Sequence, residues 1–308
     1  MRPLPLLLLT ALLACGCALT AKKTPTPAAQ LSPEELAALP AQPDERYFLV
    51  LFGSQKFSRN PNYTHTWASL VRVRTADVGG CGTATPGEID PALDVQTISW
   101  LPLSGDVQVK NLTVRPGRNF GLHETLKLVY DEGESVAMWG PYEVWHGFAY
   151  RFTVQKAFLD SGAVGYQAND VRGEAGEYGN GCDCIHAIAD MDPIYPRWRY
   201  PLALYGKAAT ANLVRRLMHS PIWLEPKKTH DWLLPRLGLD AYPINQRHYV
   251  GFAEEHKNDG NGLNAVSRPL PAAPPRPKEP TPKTAPGTGT GKLPVEPPKT
   301  PTDPPKQP

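Results

Sequence analysis

The sequence predicts an α+β fold: one domain over residues 46–262, with a mostly antiparallel sheet and packed helices. Three observations predict it. Residues 47–53 and 65–74 are apolar or alternating β-branched runs of strand length. Other windows place their apolar residues at helical spacing, as in Leu122, Leu126 and Val129, or Phe148, Phe152 and Leu159. Strand and helix windows are interspersed and joined by Gly-, Pro- and Asn-rich turns, and neither long repeats nor a second hydrophobic span appears.

Residues 1–14 pair a basic start, Met1-Arg2, with a leucine-rich run too short to span a bilayer as a helix of about 20 residues. Residues 15–45 read as an anchor and tether. Within them Ser32-Pro33-Glu34-Glu35 has an N-cap serine, a proline and two acids in the first turn, which predicts a short helix. The run 47–53, ended by Gly53, predicts a buried strand. Asn60-Pro61-Asn62 predicts a turn, and His65 opens the next strand.

Residues 75–93, around Cys81, read as a loop. Residues 95–101, stopped at Pro102, and 107–114 predict two more strands, and 122–129 a helix. A short strand at 136–139 precedes Gly140-Pro141, a helix covers roughly 143–160 with Gly162 suited to its C′ position, and 164–167 predict a strand. Tyr178-Gly-Asn-Gly-Cys182-Asp183-Cys184 is a turn that delivers Cys184 to the first turn of a helix. Residues 205–219 predict another helix, and 221–252 an irregular segment wrapping the core. From 263 the chain is rich in Pro, Lys and Thr; 15 of the 35 prolines fall in 269–308. Such a stretch cannot offset a backbone entropy of about 1–2 kcal/mol per residue, so a disordered tail is expected.

A net charge of +2 gives no electrostatic case for a nucleic-acid partner. Of the five cysteines, Cys182 and Cys184 sit two apart, with His186 two further on. That trio has the elements of a metal site but lacks the paired knuckles of structural zinc, and neither a metal nor a cofactor is expected. Asp190 and Asp192 read as a helix-end acidic pair. Gly287-Thr-Gly-Thr-Gly-Lys292 lies in the tail, away from the strand and helix a phosphate loop needs. A thiol at a helix N-terminus is biased toward the nucleophilic thiolate. Cys184 is therefore the candidate nucleophile and His65, at a strand start, the candidate base; a buried inert thiol or half of a disulfide is the plainer role for the same cysteine. Ser99, Gln96 and His123 are candidates to orient the histidine.

Leu12-Leu13-Ala14-Cys15-Gly16 resembles a bacterial lipoprotein signal, with Cys17 a second candidate. The resemblance implies lipidation at Cys15, a mature protein held at a membrane through its lipid, and an extracytoplasmic location, in the periplasm or at the cell surface. In that oxidising setting Cys81, Cys182 and Cys184 are an odd set. A disulfide from Cys81 to Cys182 or to Cys184 leaves one thiol over; with Cys184 as nucleophile, the pairing is Cys81 with Cys182.

His65-Thr66-Trp67-Ala68 with Leu70-Val71, and Cys184-Ile185-His186-Ala187-Ile188, resemble the strand-borne histidine and the helix-opening cysteine of the circularly permuted papain-like superfamily, the lecithin–retinol acyltransferase-like group. Where that pattern has Asn directly before the cysteine, this chain has Asp183, and Asn180 stands four residues ahead. The resemblance implies a thiol hydrolase or acyltransferase acting on amide- or ester-bearing cell-envelope material. The alternative is a non-catalytic envelope lipoprotein, for binding or architecture, with its cysteines paired.

Overall fold

The computed structural model describes residues 27–249, apart from 41, 59, 80–86, 112, 170–180, 196–204 and 227, together with 268–269. The signal peptide, Cys15, Cys17, Cys81, the turn before Gly181 and nearly all of the tail lie outside the described residues. Those described fall in one structural unit, Met1–Ala273, distinct from Pro274–Pro308.

The elements run in the order α1 (Pro27–Gln30), α2 (Pro33–Ala37), β1 (Glu45–Lys56), β2 (Thr64–Arg74), β3 (Asp94–Ile98), β4 (Trp100–Pro102), β5 (Gly117–Asn119), α3 (Leu122–Asp131), β6 (Glu134–Val144) and α4 (His146–Asp160). They continue with β7 (Gly165–Tyr166), β8 (Gly181–Cys182), α5 (Cys184–Ala189), α6 (Gly206–Leu217), α7 (Leu233–Arg236), β9 (Asn245–Arg247) and β10 (Arg268–Pro269). Six strands form the main sheet in the order β10-β9-β6-β1-β2-β3. Every pairing in it is antiparallel except β6 with β9. The fold is α+β, as the interspersed strand and helix patterns predict.

Helices cover both faces of this sheet. Phe48, Val50 and Phe52 of β1, with Trp67, Val71 and Val73 of β2, pack under α3 and α7. Leu49, Leu51, Ala68 and Leu70 pack on the opposite side with α4, α5 and α6. Residues 48–52 are all fully buried, which is why β1 reads as a continuous apolar run and not an alternating one. Burial of each such side chain stabilises by about 1.5–3 kcal/mol.

Several boundaries differ from the sequence expectation. The described residues of 107–114 form no strand; the Asn111 side chain accepts from the Thr113 amide instead. The run 95–101 divides at Ser99 into β3 and β4, and β4 leaves the main sheet to pair with β5. The short strand expected at 136–139 is β6, which continues to Val144 through the cis Gly140–Pro141 bond and shifts register opposite Leu49–Leu51. Proline cannot donate to a ladder, so a strand crossing it needs such an irregularity. The helix expected from 143 therefore begins only at His146.

Two stretches read as linkers take part in the fold. Ala28 and Leu36 are buried, and α1 and α2 pack on α4. Arg151 of α4 binds the carbonyls of Ala28 and Leu31 at 2.8 and 3.0 Å, a guanidinium placed at a helix C-terminus, where positive charge is favoured. Ser32 caps α2 with a reciprocal capping box to Glu35, as its motif predicts. At the other end, Arg268–Pro269 pairs with β9, inside the stretch read as tail.

Candidate functional site

Cys184 is the first residue of α5, where the turn-to-helix pattern places it. Asp183 is the N-cap: one carboxylate oxygen accepts from the His186 amide at 2.7 Å and the other lies 2.8 Å from His186 Nδ1. The Asp183 that departs from the papain-like pattern thus starts the helix and holds the neighbouring imidazole. Asp is among the strongest N-cap residues, and that preference was the available signal.

Cys184 is partly exposed and its thiol is in no disulfide. Cys182 is buried and its sulfur donates to the Asp183 carbonyl at 3.3 Å. The carbonyl of Cys182 accepts from the Trp100 indole at 3.1 Å, tying the cysteine turn to β4. Cys81, the partner expected for Cys182, is outside the described residues.

The pairing of β2 with β3 ends at Ala68–Ile98. Beyond that point the backbone N–H of Thr66 bonds to the Cys184 sulfur, as do the amides of Cys184 and Ile185. These donors favour thiolate. Burial and the negative charge of Asp183 outweigh them and push the thiol up to about 12. The thiolate bias expected at this helix start is therefore reversed: desolvation of the charged form exceeds what a one-and-a-half-turn helix and three amides return.

His65 lies next to Thr66 but its ring takes the other side of β2. It stacks on Trp67, with centroids 5.3 Å apart and planes 14° from parallel, on the α3 side. Cys184 approaches from the α5 side. His65 and Cys184 nevertheless line one cleft of about 30 Å³ at the end of the strand, with Thr64, Tyr166, Asp183 and Tyr205. No hydrogen bond joins the two: Nε2 of His65 lies 2.8 Å from Ser99 Oγ, and Nδ1 is buried with no partner. Burial pushes the imidazole down to about 3. Both groups are thus neutral at rest.

Of the three residues considered for orienting His65, the structure brings up Ser99 alone. Gln96 bonds to Thr153 and His123 to Tyr242. The Thr125 hydroxyl lies 2.8 Å from Ser99 Oγ and 2.8 Å from the Gly121 carbonyl. One hydroxyl proton serves one acceptor at a time, and the carbonyl can only accept. With that proton on Gly121, Ser99 donates to Thr125 and accepts from His65 Nε2–H, leaving Nδ1 a bare lone pair. The reverse direction would bury an unpaired Nδ1–H, which is the costlier arrangement. The chain therefore assigns the tautomer whose free nitrogen can take a proton.

Two other features bear on what the site is. Among the described residues, only Glu143, Glu225 and His230 bring three ligand atoms within 4.8 Å of one another. Arg46 already holds both oxygens of Glu143, so that carboxylate is neutralised by a guanidinium. A larger groove, about 550 Å³, lies between β1–β3 and α4, lined by Tyr47, Arg72, Asp94, His146 and Tyr150. Its lining holds no cysteine or serine and shares no residue with the Cys184 cleft. No helix among the described residues is long and apolar enough to cross a membrane. The chain matches no family model, no curated protein and no solved structure.

Proposed function

We propose that the protein is a thiol hydrolase or acyltransferase, held at the outer side of a bacterial membrane through Cys15 and acting on amide- or ester-bearing envelope material. The observation that carries this reading is that Cys184 and His65 line a common cleft, and that the His65 imidazole, held by Ser99, keeps an unpartnered Nδ1. The imidazole and the thiol meet this cleft from opposite sides of β2, so the reading requires the His65 ring to swing toward Cys184 before its free lone pair can activate the nucleophile.

In the reaction, the Cys184 sulfur attacks the carbonyl carbon while Nδ1 takes the thiol proton. The C–O or C–N bond then breaks, the imidazolium returns that proton to the leaving oxygen or nitrogen, and a thioester remains. Water, or a second nucleophile in the transferase case, then attacks the thioester carbonyl as Nδ1 takes its proton; the C–S bond breaks, and the imidazolium returns that proton to the Cys184 sulfur. Ser99 accepts the Nε2–H of the ring.

The non-catalytic lipoprotein has two observations in its favour: the His65 ring lies on the other side of β2 from Cys184, and a cleft of about 30 Å³ must open before an acyl group enters. Reaction with p-nitrophenyl acetate separates the two. The enzyme reading expects a burst of nitrophenol with acetyl on Cys184 by mass spectrometry, no burst in Cys184→Ala, and a burst slowed about 10²–10⁴-fold in His65→Ala. Acetylation spread over surface lysines and unchanged in Cys184→Ala would leave the binding role.

A further inference from the structure

A second cavity, about 190 Å³, opens on the α3 side of the same strand end, lined by residues that include His65, Asp106, Glu132 and Glu134. Thr64, His65 and Val107 line both this cavity and the Cys184 cleft, so the two adjoin at the start of β2. Its polar walls carry three carboxylates, and neither lysine nor arginine lines it. Leu101, Leu128 and Val129 supply an apolar wall beside them.

Glu134 is the distinctive member. It opens β6 and is 8 % exposed; the Ser54 hydroxyl acts on the carboxyl, while its Oε2 is buried with no hydrogen-bond partner. A buried acceptor without a donor is costly, and such groups call for an explanation in a bound species. Lys56, opposite Glu134 in the β1–β6 ladder, stands 4.0 Å above the Tyr63 ring, and Lys207 binds Ser135. Both act on Glu134 from a distance, together with the like charge of Glu132.

We propose that this cavity is the subsite that takes a protonated primary amine of the substrate, with Glu134 as its direct acceptor and Asp106 and Glu132 supplying the negative field. An ammonium head on an alkyl stem matches a pocket with carboxylates on one side and leucine and valine on the other. The carboxylates do not converge as a bare metal ion needs, since these three are not among the residues whose ligand atoms cluster within 4.8 Å. The role as a substrate subsite rests on the thiol-enzyme reading above; the binding itself does not.

The test is calorimetric titration of the wild-type protein with pentylammonium and with 1-pentanol, which share the stem and differ in the charge. The amine is expected to bind about tenfold or more tighter than the alcohol, and Glu134→Gln to abolish that preference while leaving pentanol binding as it was. Urea unfolding of the variant checks that it is folded. Equal binding of the two probes, binding of neither, or a preference that survives Glu134→Gln each overturns the proposal. The nitrophenyl acetate burst is independent of all three outcomes: a burst without amine preference sinks the subsite alone, and amine preference without a burst sinks the enzyme alone.

Discussion

The buried carboxyl of Glu134 makes stability depend on pH in a direction opposite to that of most acidic residues. Burial is the largest influence and raises it from the ordinary 4.5 to about 7; the Ser54 hydroxyl, Lys56 and Lys207 pull the other way. Between about pH 4.5 and 7 the folded chain keeps this proton and the unfolded chain has lost it, so the unfolding free energy falls as pH rises. The full fall is about 2.5 units at about 1.4 kcal/mol each, roughly 3 kcal/mol, and it is complete above pH 7. A glutamine side chain is close in shape to the protonated acid and never ionises. Glu134→Gln should therefore match the wild type at pH 4.5 and exceed it by about 3 kcal/mol at pH 8. Urea midpoints for both proteins at pH 5, 6, 7 and 8 measure the difference, in which every other titrating group cancels. Parallel curves, or a variant weaker than wild type at pH 8, would refute the account of Glu134 as a desolvated acid.

Three further outcomes follow from the packing. Arg151→Met should free α1 and α2 from α4, costing about 2–3 kcal/mol at the charged hydrogen bonds, and limited proteolysis should then cut between residues 27 and 44 where the wild type resists. Gly206→Ala should destabilise by at least about 1–3 kcal/mol, because the residue has φ +52 and a Cβ would stand 2.4 Å from the Ser54 carbonyl; a melting temperature within a degree of wild type would contradict this. Ending the chain after Ala273 should leave the thermal melt unchanged, whereas ending it at 265 removes β10 and should lower it.

Strand and helix identity was legible wherever burial on one or both faces imposes a pattern, as in β1, β2, α3, α6 and the turn into α5. The failures share a cause: local signals compete with partners distant in sequence. Pro141 reads as a strand end, yet Leu49–Leu51 across the ladder tolerate the irregularity. Residues 107–114 have a strand's valines, but their described part is held by local side-chain bonds such as that of Asn111 to the Thr113 amide. The linker character of 27–38 is true of its composition, while Arg151, more than a hundred residues away, docks it. At the site, Cys184, His65 and Ser99 could be named from type and placement. Glu134 could not, because an acid ahead of a strand is ordinarily solvated, and only the approach of β1, β2 and α3 encloses it. The sign of the Cys184 shift was equally hidden: the helix start is visible in sequence, and the desolvation that outweighs it is not.

The opposed shifts of Cys184 and His65 determine what kind of thiol enzyme this could be. A resting thiolate–imidazolium pair needs a thiol below the imidazole in pKa, and here burial moves the thiol up to about 12 and the imidazole down to about 3. Burial disfavours the charged form of each, so neither proton moves until a carbonyl is in place to receive the sulfur. The neutral thiol is also the form that resists oxidation. It follows that the protonation state of the pair does not change anywhere between about pH 4 and 11. The acetylation rate of Cys184 by p-nitrophenyl acetate should then be flat from pH 5 to pH 9, where a preformed ion pair would give a rise near the imidazole's ordinary value of 6.5. Iodoacetamide, which needs the thiolate and offers no carbonyl, should meanwhile react far more slowly with folded Cys184 than with a free thiol of pKa about 8.5. An inflection between pH 6 and 7 in either reaction would mean that the pair is charged at rest, and that the cleft is wetter and more open than the packing of Tyr166, Asp183 and Tyr205 around it implies.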